Sequence, residues 1–225
     1  MTRAGAGIDR AQLASATRRV LKRGRGIKPD VLLVDTPGGQ AIVKDYAPRA
    51  AWVRWRLGPW LARREQRIYR ALAEVAAVPQ ALGPIDRLAF ALEYRRGEPL
   101  SRALAERSGA RSVAGFLAAL EASVEAMHAC GVVHLDLRHR DNLLMDERGQ
   151  PVLVDFAAAM CFRPGRVWYR WYRPTVLVYD RRALAKWRDR LRPGAPPSRR
   201  SIWRRLSAMR RRRPGSPQSL SGPPR

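Results

Sequence analysis

The chain has 225 residues, 46% of them hydrophobic, and carries 44 Lys and Arg against 19 Asp and Glu, a formal net charge of +25. That length and apolar content suit a folded domain with a substantial core. No stretch of about 18 uncharged apolar residues occurs, so no membrane-spanning helix is expected, and the N-terminus lacks the apolar core of a signal peptide.

The charge is uneven. Residues 1–28 hold eight Arg and Lys against one Asp, residues 29–162 seventeen against sixteen acids, and residues 163–225 nineteen against two. A nearly neutral body with cationic ends is the pattern of a folded domain seeking an anionic surface. Cys130, Cys161 and three scattered histidines lack zinc-ligand spacing, and unpaired cysteines point to the cytosol.

In chain order, Val31 to Val34, the turn at 35–39 and Ala41 to Lys44 read as a hairpin. After Gly58-Pro59, taken as a break, Leu61, Ile68, Leu72 and Val75 recur at helical spacing and predict a helix over 60–75. Glu65 falls on its apolar stripe, and a carboxylate facing a core should be paired. Lys44, ending an apolar strand, is the natural partner; the alternative leaves Glu65 at an exposed edge beside Arg64 or Tyr69. Phe90 to Tyr94 predicts a strand. Val113, Phe116, Leu117, Leu120, Val124 and Met127 predict the buried face of a helix that Gly131 stops.

Then comes the chemically dense stretch. His134-Leu-Asp136 follows a short apolar strand, Asn142 comes six residues after Asp136, an Asp-Glu-Arg-Gly turn occupies 146–149, and Val-Leu-Val leads into Asp155-Phe156. Either aspartate alone would pass as a strand-end turn residue. Together they can orient a hydroxyl, accept its proton and hold the magnesium of a nucleotide.

This stretch resembles the catalytic loop and metal-binding Asp-Phe segment of the protein-kinase-like fold, in which His-x-Asp and Asn are separated by four residues. Here five intervene, a local one-residue insertion that leaves Asp141 as an alternative metal ligand. Arg138 stands where the family carries Lys, and Ala157 replaces the Gly of Asp-Phe-Gly. Gly24, Gly26, Gly38 and Gly39 do not form Gly-x-Gly-x-x-Gly, so the layout resembles the RIO-type and lipopolysaccharide-kinase-type (Kdo/heptose kinase) branch.

The resemblance covers about residues 27–192. It implies an α+β, minimal two-lobe fold, with lobes at 27–94 and 95–192; charge and composition set a basic N-terminal extension at 1–26 and a basic, disordered Pro/Ser/Arg-rich tail at 193–225 beside it. The resemblance also sets the activity. It implies an enzyme, an ATP- and Mg2+-dependent kinase. Asp136 would be the catalytic base, and Lys44, held by Glu65, the phosphate grip. Asn142 and Asp155 would be the metal ligands, and the backbone of Glu93, Tyr94 and Arg95 the adenine contact. A helix opening at Asp180 resembles one that atypical bacterial kinases place there. The acceptor would be a hydroxyl of a lipid-linked sugar or of a protein Ser/Thr.

The missing glycine loop, Arg138 and the shifted Asn142 support the alternative of a catalytically weak kinase-like protein that binds nucleotide or an anionic surface. Aromatic-basic clusters at 168–173 and 202–206 suit a membrane interface, placing the protein at its cytoplasmic face. Nucleic acid is the less favoured partner for the basic ends, and a merely solvated tail is the plainest reading. Oligomeric state has no signature in the sequence.

Overall fold

The hydrophobic runs around Lys44 form the middle of a sheet. The structure, a computed structural model, describes residues 7–162 and 167–192. Strands β1 (Thr17–Lys22), β2 (Asp30–Thr36), β3 (Gly39–Asp45), β4 (Ala81–Pro84) and β5 (Ala89–Glu93) make a five-stranded antiparallel sheet in the order β1-β2-β3-β5-β4. The β2–β3 hairpin closes on Gly39, whose φ of 109° is open to glycine at little cost.

Because side chains alternate across a strand, β3 divides its work. Ala41 and Val43 join Leu32, Val34, Ala89 and Ala91 in one apolar cluster. Ile42 and Lys44 take the opposite parity, and Ile42 packs on the larger core that holds Phe90 and Leu92. That core runs continuously from Tyr46 to Leu191 and includes residues from both sides of the expected lobe boundary. The chain leaves the first sheet at Glu93 and enters a three-stranded one, β6 (Glu98–Pro99), β8 (Leu143–Met145) and β9 (Pro151–Leu153), in the order β6-β8-β9.

Helix α2 (Gly58–Ala71) buries Ala62, Glu65, Ile68 and Tyr69. Gly58-Pro59 does not break the chain. A π-helical turn at Val53–Leu57 runs directly into α2, so Pro59 lies within one continuous helical run. The helix ends at Ala71, short of the expected Val75, because the chain turns at Leu72.

After the short helix α3 (Arg102–Ser108) comes α4 (Ala110–Ala129), which buries Val113, Phe116, Leu120, Val124 and Met127 of the expected stripe, leaves Leu117 half-buried, and ends before Gly131 at φ 74°. Strands β7 (Val132–Val133) and β10 (Met160–Cys161) pair antiparallel, bringing the two ends of the Asp136–Asp155 stretch together.

Two expectations are corrected. Residues up to 26 are not a mere extension: a helical turn α1 (Leu13–Ala16) sets Leu13 into the core, β1 pairs with β2, and Arg10 reaches Asp45 at 2.7 Å and Asp86 at 2.7 Å. Nor does a helix open at Asp180. Helix α5 spans Val167–Leu191 and carries Asp180 midway, with Ala183, Trp187 and Leu191 buried. The cluster at 168–173 falls in α5 with its side chains outside the described residues, as is the whole of 193–225. Met1–Leu191 groups as one compact unit.

Candidate functional site

Lys44 reaches the site because β3 is central and its alternation turns position 44 toward α2. Its ammonium lies 2.5 Å from Glu65 Oε1 and 2.7 Å from Asp155 Oδ1. Lys44 and Glu65 are 4% and 1% exposed, so this is a buried pair with a third, more open carboxylate at its edge. Burial opposes the charge on Lys44, but Glu65 and then Asp155 outweigh it and hold its pKa well above the ordinary value. Burial pushes the Glu65 carboxyl up against the pull of Lys44. Lys44 is also the chief reason the Asp155 carboxyl falls to about 2. Glu65 Oε2 has no partner among the described residues, leaving one lone pair set of this carboxylate unused.

Asp155 adopts φ 63°, ψ 69°, left-handed backbone for a residue with a side chain. The surroundings hold it there. Its N–H donates to the Tyr69 hydroxyl at 3.2 Å, and the Tyr69 ring meets Phe156 edge-on at 5.0 Å. The His134 ring lies 4.6 Å from Phe156 and bonds the Val154 carbonyl at 3.1 Å. Burial depresses the His134 pKa below 6.5, so the imidazole is a neutral packing element. Arg64 donates from α2 to the carbonyls of Ala157 and Ala159, tying the segment after Asp155 to the helix that carries Glu65.

Asp136 stands on a loop braced from beneath. Asp180 is fully buried and accepts the His134 N–H at 2.8 Å, the Leu135 N–H at 2.9 Å and the His128 ring at 3.0 Å. Trp187 donates to the Leu137 carbonyl at 2.8 Å. Leu135, at φ 66°, is the other left-handed residue with a side chain among the described residues. Paired strain of this kind next to polar groups is a mark of functional loops.

The residues between Asp136 and Asn142 form a pair of turns: the His139 N–H bonds the Asp136 carbonyl, and a 3-10 turn follows at Arg140–Asn142. Its outcome is specific. Asn142 is buried, with its Nδ2 donating to the Asp136 carboxylate at 2.9 Å and to the Asp136 carbonyl at 3.0 Å. Asp141 is exposed beside Arg140 at 3.6 Å. With its amide nitrogen committed to Asp136, Asn142 keeps Oδ1 as its acceptor.

The structure thus brings together Lys44, Glu65 and Asp155 as one group and Asp136 and Asn142 as another. Glu93 does not offer its backbone N–H, which donates to Gln80 at 2.8 Å; its carboxylate holds Arg95 at 3.0 Å. Tyr94 and Arg95 form the half-buried connection between β5 and β6. Sequence reasoning noted Asp180 only as a helix start, and missed Tyr69 and Trp187. The place of Asp180 on the stripe of Leu177, Ala183, Trp187 and Leu191 was a usable signal, since a carboxylate there needs a partner. A cavity of about 340 Å³ beside β4 is lined by Tyr69, Arg70, Gln80 and Gly83 and by none of these acids.

Among the described residues no group of three or more His, Cys, Asp or Glu stands ready to hold a metal ion. Mg2+ rarely has such a cage and is held by one or two carboxylates plus phosphate oxygens. The hard oxygen donors Asp155 and Asn142 Oδ1 fit that chemistry. A scan against protein-family models finds no match to this chain, and a search of curated proteins finds none.

Proposed function

We propose that the chain is a phosphotransferase of the protein-kinase-like kind, built in two lobes, that moves the γ-phosphoryl of ATP to a hydroxyl. The observation that carries this reading is Lys44 between Glu65 at 2.5 Å and Asp155 at 2.7 Å; the Lys44–Glu65 half is the strand-to-helix ion pair that kinase chemistry requires. Lys44 holds the α- and β-phosphates, and Glu65 keeps it aimed. Asp155 and Asn142 Oδ1 are the metal ligands, and Mg2+ supplies neutralisation of phosphate charge. Asp136, with a side chain 40% exposed, orients the acceptor hydroxyl and takes its proton. The acceptor oxygen forms a bond to phosphorus as the bond to ADP breaks, and Asn142 steadies the Asp136 carboxylate during the exchange. Positioning and fixed charge, not covalent intermediates, do the work.

The acceptor we favour is a sugar hydroxyl of a lipid-linked glycan, ahead of a protein Ser/Thr, because the cationic ends seek an anionic surface. Radiolabelled ATP incubated with a cell-envelope extract tests it. Label is expected in lipid with the native chain. With Asp136→Asn, label should vanish while ATP binding persists; with Asp155→Asn, Mg2+-dependent nucleotide binding itself should be lost. ATP that saturates the chain without any ADP release would favour the catalytically weak binding protein instead.

A further inference from the structure

Three tryptophans of one helical run face outward. Trp52, Trp55 and Trp60 are 61%, 60% and 53% exposed, although a Trp ring is among the largest apolar surfaces a chain can bury. They are not a misplaced core face. Val53, Gly58, Ala62 and Glu65 form the inward stripe, and a Cβ at Gly58 would come within 3.1 Å of the Tyr46 Cβ and the Val53 carbonyl. The step of five from Val53 to Gly58 is the π turn, with the Gly58 N–H bonded to Val53 O. That turn keeps Val53 inward while Trp52, Trp55 and Trp60 stay out. A π turn inside a helix is uncommon and often marks function.

The helical run that carries these rings has one sign of charge. From Tyr46 to Arg64 there is no acid and five Arg. Arg87 lies 4.4 Å over the Trp55 ring and Arg64 5.8 Å over Trp60. Exposed Arg54, Arg56 and Arg63 enter no ion pair among the described residues. Amphipathic Trp rings ringed by unpaired Arg match the headgroup layer of a bilayer, where rings settle at the interface and Arg meets anionic lipid.

We infer that the folded domain docks on an anionic lipid bilayer through Trp52, Trp55 and Trp60, with Arg54, Arg56 and Arg63 supplying the charge selectivity. These residues are distinct in sequence from the basic C-terminal ones, and the inference does not depend on phosphoryl transfer. Because α2 carries Glu65 five residues beyond Trp60, docking would hold the proposed acceptor surface and the candidate site on one helix.

The test uses the full chain with vesicles of phosphatidylcholine alone and of an equimolar mixture with phosphatidylglycerol, at low salt and in molar salt. Replacing Trp52, Trp55 and Trp60 together by Ser should reduce affinity for the mixed vesicles at least roughly tenfold in molar salt, where charge attraction is screened. Thermal unfolding of that variant should stay at the native midpoint. Replacing Arg54, Arg56 and Arg63 by Gln should cost about fivefold per residue on the mixed vesicles at low salt, and nothing on neutral ones. Hydrogen exchange of the native chain supplies a readout free of mutation, with slowing over residues 51–60 on vesicle addition. Native-like binding by the triple Trp variant, or protection confined to other segments, overturns the proposal. So does a concentration-dependent dimer, seen in sedimentation, that the Trp variant loses while vesicle binding is unchanged.

Discussion

Asn142 and Asp141 are neighbours with opposite fates: one amide is buried against the Asp136 carboxylate, and the other side chain is 78% exposed. If Asn142 steadies the proposed base and holds the metal, Asn142→Ala should lower turnover by roughly a hundredfold or more, and Asp141→Ala should change it less than about threefold. The reverse ranking in steady-state kinetics would reassign the ligand. His134 gives a residue-scale test of stability. Its Nε2 bonds the Val154 carbonyl and its Nδ1 faces the Asp136 N–H at 3.4 Å, so the ring fits neutral, and burial depresses its pKa from 6.5. A depressed histidine contributes stability above its unfolded pKa and loses it as pH falls. As pH falls below 6.5 the native chain should therefore lose stability relative to His134→Gln. Urea midpoints at a series of pH values measure that difference; parallel curves would mean that the ring titrates normally. Lys44 with Glu65 was legible in sequence because a stripe position demanded a partner. Asp155 as the second partner of Lys44 was not, since 111 residues separate them and nothing local encodes the contact.

Helix α4 was readable because its stripe of Val113, Phe116, Leu120, Val124 and Met127 repeats over about four turns and a glycine ends it. The π turn was not, because a single five-residue step from Val53 to Gly58 looks like two short helices broken at Gly-Pro. Strand β1 hid for a different reason. It is an edge strand with register shifts, and Arg18, Arg19 and Lys22 interrupt its apolar pattern as edge strands often require. Its membership in the domain is testable through α1. Leu13, 5% exposed against Leu32, Val34 and Ala41, should cost about 2–4 kcal/mol when changed to Ala. Leu21, 43% exposed on β1, should cost no more than about 0.5 kcal/mol. Chemical denaturation of the two variants reads the contrast. Equal effects would return residues 1–26 to the status of an appendage.

At the scale of the whole molecule the charge excess has two addresses. Helix α2 and its π turn present Arg beside exposed Trp, and residues 199–225, outside the described part, hold nine Arg and no acid. Both are proposed to meet anionic lipid, but they should respond differently to salt. Attraction from an Arg run is Coulombic and fades as the Debye length shrinks from about 10 Å at 0.1 M to about 3 Å at 1 M. Ring burial in the headgroup layer survives that change. Deleting residues 199–225 should therefore weaken low-salt binding to phosphatidylglycerol vesicles by more than about two orders of magnitude, and leave the high-salt remainder on the Trp face. Trp203→Ala in the full chain should remove only a small part of that remainder. Because Met1–Leu191 is one compact unit, turnover on a soluble acceptor should survive the deletion. Co-sedimentation across a salt series decides the matter. Deletion that abolishes binding at every salt concentration would assign lipid contact to the tail alone. Full-length binding to duplex DNA with the steeper salt dependence would make nucleic acid the tail's partner.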